Sequence, residues 1–98
     1  MAAPDETRTR LREVRAAVDR LERLQRELER ALDEIDHQLR RVSDRIERDG
    51  AGGAAEADRR RLRENRGLNQ GELEAGRRQL EALRDEAAAL EARLARRE

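Results

Sequence analysis

Apolar side chains recur along this chain at alternating steps of three and four, and the pattern is broken once, by three glycines in four residues. In the first half, Leu11, Val14, Val18, Leu21, Leu28, Leu32, Ile35, Leu39, Val42 and Ile46 keep the alternation, with Gln25 as its one polar occupant. This spacing lays a single apolar stripe along an α-helix and is the signature of a coiled-coil seam. Pro4 followed by Asp5 and Glu6 suits a helix start, because proline needs no amide partner there and the acids oppose the positive end of the dipole. Asp49-Gly50-Ala51-Gly52-Gly53 stops the helix, since glycine is costly in a helix and cheap in a turn. The second half resumes with Leu73, Leu80, Leu83, Ala87, Leu90 and Leu94, and Gly76 fills one seam slot. Traced backwards, the register runs through Asn69, Arg66 and Leu62.

Folding the chain at the glycines brings the two stripes face to face. Leu11 falls opposite Leu94, Val14 opposite Leu90, Leu21 opposite Leu83, Leu32 opposite Leu73 and Val42 opposite Leu62. Leu28 meets Gly76 and Val18 meets Ala87, so large side chains face small ones. The expected fold is all-α: one antiparallel coiled-coil helical hairpin over residues 1–98, with helices at about 5–48 and 55–97 and a turn at 49–54. Acid-to-arginine pairs four apart, Glu22 with Arg26 and Asp36 with Arg40, support the first helix on its exposed faces. The second helix carries a competing signal. Gly67 suits a C-terminal cap, Asn69 an N-cap with Glu72 as its capping-box partner, and Leu68 with Leu73 a hydrophobic staple, which together predict a kink at 67–69.

Leu62 to Leu73, with its Gly-Leu-Asn-Gln turn, resembles the opening of phage-repressor-type helix-turn-helix domains. The likeness ends there. Such domains continue into a recognition helix for the major groove, whereas Arg77 to Glu98 continues the seam. Glu34-Ile35-Asp36-His37-Gln38-Leu39 followed by Arg45 resembles part of the first helix of helical chorismate mutases, which also need a lysine and an Asp-x-x-Arg-Glu motif that this chain lacks. Glu34 and His37 share the Glu-x-x-His spacing of di-metal bundles, yet both sit at outward positions without a matching histidine. No nucleophile–base set or phosphate-binding loop is present, and an enzyme, a cofactor, a metal site and a small-molecule substrate are not expected.

Composition narrows the partners. Charged residues make up 47% of the chain and aromatics 0%, so neither a large globular core nor base stacking is available. The 23 basic residues, all arginine, balance 23 acidic ones. No cysteine offers a disulfide or thiolate site, and no apolar run approaches the ~20 residues of a membrane span. The N-terminus has no signal-peptide pattern, and a soluble, cytoplasmic protein is the expectation.

Two surfaces stand out. Ala17, Leu24 and Ala31 form a column beside the seam on the first helix, and Leu68, Ala75, Ala82 and Ala89 form one on the second, both on the same side of the hairpin. A two-helix hairpin leaves half its seam open, so this side is the expected face for a homodimer of four-helix-bundle type or for another helical protein. Near the turn, Arg41, Arg45, Arg48, Arg59, Arg60, Arg63 and Arg66 make a basic patch, with Arg40 and Arg61 beside it, for an anion or a nucleic acid. Asp44, Glu47, Asp49, Glu56, Asp58 and Glu64 dilute that patch. The sequence therefore points to protein–protein interaction by a small coiled-coil adaptor, assembly or oligomerisation element. The alternative is a nucleic-acid-associated or transcription-linked protein using the arginines near the turn.

Overall fold

The computed structural model describes residues 3–50 and 52–97 and contains two helices, α1 (Pro4–Asp49) and α2 (Gly53–Arg97), which run antiparallel as a helical hairpin. Pro4 opens α1 as expected, and Thr7 closes its first turn twice: its backbone N–H and its hydroxyl both donate to the Ala3 carbonyl, at 3.0 and 3.2 Å. Gly50 ends α1. It adopts φ +83°, which a side chain would strain, and its N–H donates to the Ile46 carbonyl at 2.8 Å. Ala51, part of the expected turn, lies outside the described residues. The Glu56 N–H then donates to the Gly52 carbonyl at 3.1 Å, starting α2 with an acid in its first turn.

The hairpin divides into two compact units, each built from a stretch of both helices. The first unit comprises Met1–Gln25 and Ala75–Glu98. Its core is Leu11, Val14 and Leu90, with Val18, Leu83, Ala87 and Leu94 packed against them. Thr7, 3% exposed, extends the seam one step before Leu11, and its hydroxyl is compatible with burial because the local carbonyl accepts its proton. The second unit, Arg26–Glu74, buries Leu32, Ala55 and Leu73 and half-buries Leu28, Ile35, Leu39, Val42, Ile46 and Leu62. Ala55 and Arg59 continue the three-four alternation back from Leu62, so the seam reaches closer to the turn than the leucines alone indicate.

The structure differs from the sequence reading in three places. Gln25, not Leu28, packs over Gly76. A Cβ placed on Gly76 would overlap the Gln25 amide, with Cδ at 2.7 Å and Nε2 at 3.0 Å. The missing side chain makes room for a long polar one, whereas matching by bulk alone favours the leucine. Second, Glu22 and Asp36 turn away from Arg26 and Arg40 and bond across the seam to Arg84, at 2.9 Å, and to Arg66, at 2.6 Å. Both carboxylates flank the seam, where the facing helix offers a closer cation than the next turn of their own. Third, α2 is helical throughout, Gly67 and Asn69 included, and neither has positive φ, so the cap pattern there forms no stop and restart. Packing of Leu62, Asn69 and Leu73 along one face, with Arg66 tied to α1, outweighs a local preference of ~1 kcal/mol per glycine.

Candidate interaction surfaces

The seam is edged by charges, and these edges decide which arginines keep free charge. In the first unit, Arg10 grips Glu86 through two nitrogens, Nε to Oε1 at 3.0 Å and Nη2 to Oε1 and Oε2 at 2.6 and 2.9 Å. Arg15 donates to Glu91 at 2.8 Å. The hydrogen bond and charge of Glu86 hold the Arg10 guanidinium above its ordinary pKa, with Glu13 at 3.5 Å adding a smaller push. In the second unit, the hydrogen bond and charge of Asp36 do the same for Arg66. Arg66 occupies a seam position, and its guanidinium reaches outward to Asp36, which explains how a charged residue is tolerated there.

The basic patch near the turn is therefore only partly available. Arg59 is half-buried and donates to both oxygens of Glu56, at 2.9 and 3.0 Å. Arg61 donates to Asp58 at 3.0 Å, and Arg45 stands 3.9 Å from the same carboxylate. Arg66 is held by Asp36. Arg41, Arg48, Arg60 and Arg63 are exposed and have no ion-pair partner among the described residues. Arg41 and Arg48 line a shallow groove of about 690 Å³ whose apolar floor is Val42 and Leu62, but Asp44, Glu47 and Asp58 line it too. A phosphate backbone entering there would meet more carboxylates than unpaired guanidiniums.

The other surface is the column of apolar and small residues. On α1, Ala17 and Ala31 are half-buried and Leu24 is 48% exposed. On α2, Ala75, Ala82 and Ala89 are exposed, and Leu68 is 69% exposed. Leu24 and Leu68 are the exposed large hydrophobic side chains among the described residues. The opposite flank of the seam on α1 is charged or polar at every matching position: Arg8, Arg15, Glu22, Glu29, Asp36 and Ser43. On α1 the flank that carries Ala17, Leu24 and Ala31 is therefore the less charged of the two.

Glu34 and His37 are both exposed, and Glu34 accepts a hydrogen bond from Gln38 at 3.2 Å. Among the described residues no group of three His, Cys, Asp or Glu side chains is placed to hold a metal ion, and no helix is long and apolar enough to cross a membrane. No protein-family model, curated protein or solved structure matches the chain.

Proposed function

We propose that the protein is an interaction element: a small coiled-coil hairpin that assembles through its helical faces with a second copy of itself, or with another helical protein, as an adaptor or oligomerisation module. The observation that carries this reading is the exposure of a large hydrophobic side chain on each helix, Leu24 on α1 and Leu68 on α2, with the other flank of α1 charged or polar at every matching position. Water around an exposed leucine is released when a partner helix covers it, and neighbouring alanines let that helix approach closely. Two hairpins joined in this way would form a four-helix bundle. Light scattering at micromolar concentration tests it. Wild type should scatter at twice the 11.3 kDa chain mass, and Leu24→Glu at the chain mass. A dimer unmoved by Leu24→Glu would exclude this face.

The second reading, nucleic-acid association, draws on Arg41, Arg48, Arg60 and Arg63, which keep uncompensated charge. A mobility shift with duplex DNA and with RNA tests it. Retardation that weakens steeply with salt is what phosphate contacts require.

A further inference from the structure

We infer that the self-association is antiparallel, with α1 of one hairpin crossing α1 of a second copy at Leu24 and each Arg20 meeting the other copy's Glu27. This rests on the interaction reading above and specifies its geometry. The residues around Leu24 on its exposed side are Ala17, Arg20, Glu27 and Ala31, at seven and four positions before it and three and seven after. The alanines are symmetric about Leu24, and the two charges, opposite in sign, are within one residue of being so. A two-fold axis through Leu24 therefore sets leucine on leucine and alanine on alanine, and brings Arg20 against Glu27 twice.

Both charges are free to make that exchange. Arg20 and Glu27 are exposed, and neither has an ion-pair partner among the described residues. Several neighbours flanking the seam are already taken, Glu22 by Arg84 and Glu86 by Arg10. A parallel pairing would set Arg20 on Arg20 and Glu27 on Glu27, like on like. The next acids outward, Glu13 and Glu34, would face each other in an extended antiparallel contact. That favours a crossing in which the helices diverge on either side of Leu24, as helices packed ridge into groove do. Glu13 lies 3.5 Å from Arg10, and Glu34 is hydrogen-bonded to Gln38, so each has local compensation as the helices part.

The test is a charge swap. R20E and E27R are made separately, and their masses are measured by sedimentation alone and mixed in equal amounts, with circular dichroism to check that each stays helical. Each reversal alone turns both contacts repulsive and should weaken the homodimer by about tenfold or more. The mixture should recover the wild-type dimer. There the glutamate introduced by R20E meets the arginine introduced by E27R, and the second contact remains the native pairing of Arg20 with Glu27. If R20E instead pairs more tightly with wild type than wild type does with itself, the copies run parallel and the inference fails. If neither reversal changes a dimer that Leu24→Glu dissociates, the geometry is wrong while the interaction face stands. A wild type that stays at 11.3 kDa at every concentration overturns self-pairing altogether.

Discussion

Gly76→Ala should forfeit the gain that alanine, the better helix former, brings elsewhere in the helix. In an open helix interior the substitution gains about 1 kcal/mol. At this position the new methyl lands on the Gln25 amide, with Cδ at 2.7 Å and Nε2 at 3.0 Å from the Cβ. Gln25 is 7% exposed, so its amide must leave a buried site to make room. That amide is the end of a flexible side chain, so it can swing aside at a cost of about 0.5–1.5 kcal/mol in rotamer strain. With ~1 kcal/mol for the shift against ~1 kcal/mol of propensity, the net is near zero.

The control is Gln25→Ala, alone and combined with Gly76→Ala. Once the amide is gone, the methyl has nothing to displace, so the double variant should be more stable than the sum of the single changes by about 1 kcal/mol. Denaturant unfolding followed by helical circular dichroism reads all four proteins, at one fixed concentration because the proposed self-association would add to apparent stability. If Gly76→Ala gains as much as Gly67→Ala, or the two changes simply add, then Gln25 does not occupy the place of the missing side chain and the register argument falls with it.

Gly67→Ala and Gly71→Ala should each stabilise by about 1 kcal/mol, since both lie in continuous helix with nothing within 4 Å of an added Cβ; a loss at Gly67 would restore the cap that the sequence suggests. Gly50→Ala should cost about 1–2 kcal/mol through its left-handed φ of +83°, also read by denaturant unfolding, even though space is open around it. The raised pKa of Arg10 and Arg66 fixes the sign at alkaline pH. Their contribution is fully present below the ordinary arginine value and is lost only as pH climbs through the raised one, so helicity should be flat from about pH 7 to 10. An unfolding step inside that window would mean these pairs are not what holds the edges.

Much of the fold is legible in the sequence because a seam is a periodic object. The stripe from Leu11 to Ile46, its counterpart to Leu94 and the glycines between them fix two helices and their direction. What periodicity does not carry is the level at which the two stripes meet. Leu28 and Gln25 are adjacent seam residues on one helix, and setting either over Gly76 keeps every side chain facing inward. Only the fit of a long amide over an absent side chain separates them. Thr7 and Ala55 are readable in principle, each lying four residues from the nearest named seam member or its extension, but neither is bulky enough to mark a stripe. Gly67 shows the opposite failure, in which local capping chemistry is present and loses to packing over the whole helix.

The arginine surface is harder to read for a reason that bears on function. Residue types give a count of charges, whereas a partner responds to what the fold leaves unpaired. Glu22, Asp36, Glu86 and Glu91 each take an arginine from the facing helix. Arg45, Arg59 and Arg66, three of the patch near the turn, stand beside carboxylates of their own fold. Closing the hairpin therefore removes charge from the edges of the seam while leaving Arg20 and Glu27, four before and three after an exposed leucine, without ion-pair partners among the described residues. Two unlike charges placed about such a leucine are matched in full by the same surface turned end for end. A single-sign partner, such as a phosphate backbone, would satisfy one and repel the other, so the proposed pairing with a second copy accounts for both charges where a polyanion would account for one.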